Sequence, residues 1–224
     1  MNATFGVVIL AAGASSRPGR PKQLLPYLGK TLVEHAARTA LASGAQEVVV
    51  VVGADGDAIR EKLKNLPVRV VFNREWADGM GGSVSRGIAA LSQNVQCAVV
   101  ALCDQPKITP DLLRRLAQRH FETGSQIVAS QYDGVAGAPS AFGAELFPAL
   151  MALSGIVGAR DLIRSTVGPV EKLEFDGGNV DVERPCELWR RIVAPQAVAP
   201  RDVFREPQAA RGPPSISLRD LSPA

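Results

Sequence analysis

The chain has 224 residues, 46% of them hydrophobic and 21% charged, with a formal net charge of +3. That length and balance suit one α/β domain with a sizeable core and exclude a disordered or fibrous chain. The small positive charge is spread along the chain, so neither nucleic acid nor a membrane surface is needed as a partner, and a basic loop facing one anionic small molecule is enough.

The first element is an apolar, β-branched run from Phe5 to Ala11, with the length of a buried strand. Gly13, Ala14, Ser15 and Ser16 break it, and such small side chains let backbone N–H groups approach a ligand. Arg17, Arg20 and Lys22 follow before the chain turns apolar again at Leu24. A strand, a small-residue loop and then cations describe a cradle for a polyphosphate. Neither common phosphate loop is present: Lys22 follows Pro21 rather than Gly, and only Gly13 sits at the strand end where a dinucleotide fingerprint needs three glycines. The plain alternative is a surface loop whose cations are merely solvated.

Gly29 and Lys30 then make a turn, Thr31 caps a helix with Glu34 three residues on, and Gly44 ends it. The continuous run Val48–Val52 predicts a central parallel strand buried on both faces. Asp55 starts a second helix through Leu63, and Val68 to Phe72 is a third strand. Strands alternating with helices imply a doubly wound, mostly parallel, Rossmann-like sheet with helices on both faces, which binds ligands beyond the carboxyl ends of its strands.

Two strand ends carry unusual polar residues. After Asn73, the glycines at 79, 81 and 82 keep backbone atoms accessible to a planar base, and Ser83 opens the next helix; a plain capped loop is the alternative. The strand Ala98–Leu102 runs into Cys103, Asp104, Gln105 and Pro106. A carboxylate at a buried strand's end is costly unless offset, and Mg2+, a hard ion shared between carboxylate and substrate phosphates, is a natural partner for Asp104. Asp104 capping the following turn is the alternative. If Asp104 is the main magnesium ligand, Asp104→Asn should abolish turnover with the fold intact, and relief of repulsion in the ligand-free protein would raise the melting temperature slightly.

Thr109 and Pro110 start a helix to Phe121, Gln126–Ala129 is a fifth strand, and Gly134, Gly137 and Pro139 form a loop. Glu145–Leu153 is helical, and a further helix passes through Leu162. Asp181 and Glu183 lie two apart on a strand and share a face. Residues 195–224 hold six prolines and little apolar periodicity, so the folded domain is expected over 1–194 with a disordered, Pro-rich tail after it. Cys97, Cys103 and Cys186 lack metal-ligand spacing and suit a reducing compartment; with no leader-like segment or membrane-length run, a cytoplasmic protein is expected. His35 and His120 fall in helical segments and read as structural.

The string LAAG-x-SSR-x-G-x-PK-x-LLP, Leu10 to Pro26, resembles the signature of the MobA-like nucleotidyltransferases, and within them the molybdenum cofactor cytidylyltransferases. The resemblance extends over residues 5–192. It implies that Leu10, Ala11, Ala12 and Gly13 receive a nucleoside triphosphate whose phosphates Arg17 and Lys22 hold. Through N-x-x-W-x-x-G-M-x-x-S it places Asn73, Gly79 and Ser83 at the nucleotide pocket, and through D-Q-P it makes Asp104 the metal ligand. Lys22, Arg17 and Asp104 are then the catalytic set, with Asp181 or Glu183 completing a Mg2+ site opposite Asp104.

The family's G-x-P-x-x-F, here Gly137 to Phe142, faces the acceptor. Where the family has GD-x-GAR this chain has Ile156 for the Asp, Pro18 replaces the usual Met, and Glu183-Arg184 replace Asp-Thr. The implied reaction moves CMP from CTP onto the phosphate of a molybdenum-pterin cofactor, with a molybdenum hydroxylase as candidate client. GTP is the rival donor: the guanylyl branch has LAGG, whereas the methyl of Ala12 should shrink the base pocket. A non-catalytic cofactor-binding chaperone is the rival class.

Overall fold

A computed structural model describes residues 3–14, 21–166 and 168–175. The apolar opening run forms β1 (Phe5–Ala11), buried along its whole length. A 3-10 turn at Lys22–Leu24 leads to a two-stranded ribbon, β2 (Pro26–Tyr27) and β3 (Lys30–Thr31), and then to α1 (Leu32–Ala42). The predicted capping box is present: Thr31 Oγ1 accepts from the Glu34 N–H, and the Thr31 N–H donates to Glu34 Oε2 at 3.0 Å. β4 (Glu47–Val52) is buried from Val48 onward, as its unbroken valine run requires.

α2 (Gly56–Leu63) begins one residue later than expected, because Asp55 takes a left-handed conformation and makes no capping bond. β5 (Arg69–Phe72) follows, then α3 (Met80–Ala89), which starts three residues before Ser83. β6 (Cys97–Leu102), α4 (Pro110–Thr123) with its Thr109 cap, and β7 (Ile127–Tyr132) come next.

The loop expected across 134–139 is instead part of a nine-residue strand, β8 (Val135–Gly143). Asp133 and Gly134 both have positive φ, 50° and 75°, the pairing of a two-residue hairpin that turns β7 straight back on itself. A register shift at Ala129/Ser130 accommodates the Gly and Pro. There Ser130 Oγ donates to the Pro139 carbonyl at 2.7 Å and Ser140 Oγ to that of Gly137 at 2.6 Å. A 3-10 turn at Ala144–Leu146 leads to α5 (Phe147–Met151), and α6 (Ala159–Ser165) precedes β9 (Val170–Glu174), a strand not read from the sequence. The strand expected at 180–184, Cys186 and the expected boundary at 194 lie outside the described residues.

The seven-stranded sheet has the order β5-β4-β1-β6-β8-β7-β9. All neighbours are parallel except those of β8, which is antiparallel to β6 and β7. Side-chain alternation sorts β1 between two cores. Val7, Ile9 and Ala11 pack beneath α1, α2 and α4, whereas Val8, Leu10 and Ala12 pack beneath α3, α5 and α6. Strand order reverses at β1, so the gap between the carboxyl ends of β1 and β6 is the switch point where such sheets take ligands. Among the described residues no helix is long and apolar enough to cross a membrane.

Candidate nucleotide site

The switch point is built from segments that follow β1, β4, β5 and β6. Cys103 N–H donates to the Leu10 carbonyl at 3.2 Å, tying the end of β6 to the end of β1. On the other side Ala54 N–H donates to the Ala12 carbonyl at 3.0 Å, and Asn73 N–H to that of Val52 at 2.7 Å. Backbone approach is close enough that a Cβ on Gly53 would sit 2.6 Å from the Ala12 oxygen. Four strand ends are thereby stitched into one rim.

Lys22 and Asp104, 82 positions apart, meet across this rim in an ion pair, their side chains 28% and 14% exposed. The Asp104 carboxylate therefore has a cation beside it without any ligand, which removes the premise for expecting Asp104→Asn to relieve repulsion. The N-cap of α4 is Thr109, five residues after Asp104. The segment after Asp104 is held from below. His35 Nε2 donates to the Pro106 carbonyl at 3.2 Å, and Gln105 Nε2 to that of Ala138 at 3.3 Å. Burial, offset in part by that bond, lowers the pKa of His35, so a neutral imidazole packed edge-on to Tyr27 serves as a strut.

Gln23, beside Lys22, is 2% exposed. Its Nε2 donates to the carbonyls of Ala11 at 3.2 Å and Gly13 at 2.7 Å. Nothing in the sequence beyond a lone amide within an apolar string marks it. Gly13 itself is exposed, and among the described residues a Cβ there would meet no atom within 4 Å. Leu10, Ala11 and Ala12 are 8%, 2% and 4% exposed. The Ala12 methyl packs into the core beneath α3, so it can act on a base only through the packing of the loop.

Asn73 and Ser83 are brought together as expected, but facing each other. Asn73 is fully buried, its Nδ2 donates to Ser83 Oγ at 3.0 Å, and its Oδ1 accepts from Arg86 Nε at 3.0 Å and Glu75 N–H at 3.1 Å. Arg86 Nη2 closes the network by donating to Glu75 Oε2 at 2.7 Å. This network, with Arg86 unforeseen, shapes the turn that carries Trp76 to Gly79.

Gly79 and Gly81 lie against the segment between α5 and α6, and Gly81 N–H donates to the Gly155 carbonyl at 3.0 Å. A Cβ on Gly81 would lie 2.8 Å from Ser154 backbone atoms. We expect Gly81→Ala to destabilise the fold by about 1–3 kcal/mol, the usual scale of overpacking. Urea unfolding checks it, and an unshifted midpoint would mean that the 154–158 segment yields freely. Ile156, at the position of the family's Asp, is 88% exposed.

Arg17, Asp181 and Glu183 lie outside the described residues. Among the described residues no group of three or more His, Cys, Asp or Glu could hold a metal ion. Asp104 offers one hard oxygen donor, which fits a magnesium-like ion that takes most of its ligands from nucleotide phosphates and water. Such an ion would have to draw Asp104 away from Lys22. Among the described residues the thiols offer no nucleophile: burial pushes Cys97 up to about 12 and Cys103 up as well. A void of about 10 Å3 beneath α1, lined in part by His35, Thr39 and Gln105, has room for about one water and none for a substrate.

A family model described as "MobA-like NTP transferase domain" matches residues 7–170. Nicotine blue oxidoreductase of Paenarthrobacter nicotinovorans is 40% identical over 196 residues, 83% of this chain and 95% of that protein. The purine catabolism protein PucB of Bacillus subtilis is 30% identical over 193 residues, 80% of this chain and 92% of that one. Among solved structures, Rv0371c of Mycobacterium tuberculosis H37Rv aligns with a TM-score of 0.71 at 29% identity, over 85% of this chain and 98% of that chain. Rv0371c has also been solved in complex with manganese.

Proposed function

The chain belongs to the MobA-like NTP transferase family, and from that premise we propose that it transfers CMP from CTP to the phosphate of a molybdenum-pterin cofactor, releasing pyrophosphate. The observation that carries this reading is the meeting of Lys22 and Asp104 at the switch point, one cation for phosphates and one carboxylate for a metal. The cytidylyl donor and the molybdenum acceptor rest on the resemblance of the Leu10–Pro26 and Asn73–Ser83 strings.

In this reading the loop after β1 receives the triphosphate, and Lys22 leaves Asp104 for the α- and β-phosphates. An acceptor phosphate oxygen attacks the α-phosphorus in line and pyrophosphate departs, so no protein nucleophile is used. Lys22 and loop N–H groups offset the charge that develops on the transferring group. A bound Mg2+ would supply further charge neutralisation at the phosphates; Asp104 would hold it, with Asp181 or Glu183 as second carboxylate. Arg17 is assigned to the phosphates. Asn73 and Ser83 are assigned to the pocket wall through the turn they shape, and Gly79 through its place on that turn. We assign the catalytic domain to 1–194, the Pro-rich remainder to a tail, and the protein to the cytoplasm, where its buried free thiols stay reduced.

Pyrophosphate release with each nucleoside triphosphate, with and without purified cofactor, tests this reading. We expect CTP to outcompete GTP by at least about tenfold, the effect of roughly one well-placed contact. Equal turnover of the two would remove the cytidylyl assignment. Ile156 in place of the family's acid, together with 40% identity to a protein named an oxidoreductase, favours a second reading in which the fold serves another reaction or cofactor delivery. No pyrophosphate release with any nucleotide and cofactor form would select it.

A further inference from the structure

We propose that Gln23 is a positioning residue for the start of the phosphate loop, its buried carboxamide holding the Ala11 and Gly13 carbonyls so that the Ala14 N–H faces the triphosphate. This rests on reading the site as a nucleotide cradle. One side-chain amide spends both of its N–H donors on carbonyls two residues apart, at 3.2 and 2.7 Å. In a trans peptide the C=O and the following N–H point in opposite directions. With the Gly13 carbonyl turned inward onto Gln23, the Ala14 N–H is aimed to the opposite side of that peptide. Ala14 is exposed, and among the described residues nothing within 4 Å would meet a Cβ on Gly13, so this part of the loop is accessible to an anion.

Burial makes the arrangement stiff, since Gln23 is 2% exposed and sits one residue from Lys22 in the same 3-10 turn. The carbonyls of Ala11 and Gly13 and the backbone of Lys22 are thereby set by one short segment. The arrangement also carries a penalty that packing alone does not explain. Gln23 Oε1 is buried without a hydrogen-bond partner among the described residues, and an apolar side chain of similar length would avoid that penalty. A residue kept only to fill space has no need of the amide; a residue that must donate twice does.

Two variants of the full chain test this, with CTP and inorganic tripolyphosphate as titrants in calorimetry and thermal melts alongside. Gln23→Met keeps the length and loses both donors. It should weaken both ligands by about tenfold or more, the effect of misdirecting one hydrogen bond to a charged group. Gln23→Glu keeps the shape but sets a carboxylate against two carbonyl oxygens, which raises its pKa, so the donor is absent at high pH and returns as pH falls. Relative to wild type at the same pH, its binding should be weakest near pH 8 and recover several-fold near pH 6, while that of Gln23→Met should not recover. A lowered melting temperature with CTP affinity within about twofold of wild type would mean that Gln23 is structural only, and would overturn the proposal. Should Gln23→Met fail to fold, the pH dependence of Gln23→Glu decides the matter alone, and its absence overturns the proposal. Weakened CTP binding with unchanged tripolyphosphate binding would overturn it too, since the effect must lie at the phosphates. A wild type that binds no nucleoside triphosphate would sink the cradle reading itself, an outcome distinct from wild-type binding that the variants leave intact.

Discussion

Lys22→Met is expected to lower kcat by about a hundredfold or more, the scale seen when one preorganised donor is lost, while CTP affinity falls far less. The ammonium is one of three cations in the Arg17–Lys22 stretch, so ground-state affinity is shared with its neighbours and with loop N–H groups. Its position is not shared. Pro21 precedes it, the 3-10 turn fixes its backbone, and Asp104 holds its side chain at the switch point in the ligand-free protein. A cation aimed at the α-phosphate interacts more strongly as charge shifts there during transfer, and such an interaction sets kcat rather than affinity. Steady-state pyrophosphate release together with CTP titration separates the two quantities. Poor CTP binding with normal turnover at saturation would reduce Lys22 to a phosphate anchor.

Asp104→Asn is expected to abolish turnover at ordinary magnesium and also to lower the melting temperature. The first effect follows from losing the one charged oxygen donor that the described rim presents beside Lys22. The second reverses the expectation from sequence, in which an isolated carboxylate at a strand end would be relieved by neutralisation. Here the carboxylate is not isolated, and the change removes the ion pair between Lys22 and Asp104. For a pair this accessible the loss is on the order of 1 kcal/mol, which in a domain of this size corresponds to roughly 2–4 °C. Melting curves with and without Mg2+, read beside the pyrophosphate assay, check both effects. Unchanged activity would place the metal elsewhere; a higher melting temperature would mean that the ion pair contributes less than the desolvation of its charges.

Much of the fold was legible because its signals are local. Apolar run length and β-branching identify β1, β4 and β6. The Thr31–Glu34 capping box and the Thr109–Pro110 start mark two helices, and each survives intact in the structure. The hairpin between β7 and β8 was not read, because Gly134 was taken with Gly137 and Pro139 as one loop, although Asp133-Gly134 is the pairing such a turn needs. A strand tolerates them only where it bulges, and the bulge of β8 at Ala138–Pro139, opposite Ala129/Ser130, depends on pairing across the sheet. β9 is short and of mixed polarity, and it is a strand because it pairs with β7.

For the site, the chain by itself determined which residue types arrive at the carboxyl ends of the strands: small residues after β1, cations to Lys22, glycines after β5 and a carboxylate after β6. Motif order along the chain was enough for that, because the alternation of strands and helices brings successive strand ends to one edge. Only the tertiary structure decided how those residues are used. Lys22 neutralises Asp104, Asn73 is consumed by Ser83, Arg86 and the turn it shapes, the Ala12 methyl points into the core, and Gln23 holds the loop from beneath. Each of these outcomes turns on which way a side chain or carbonyl faces. Facing is set by hydrogen bonds and packing between segments 10 to 82 residues apart, and no local pattern of residue types records it.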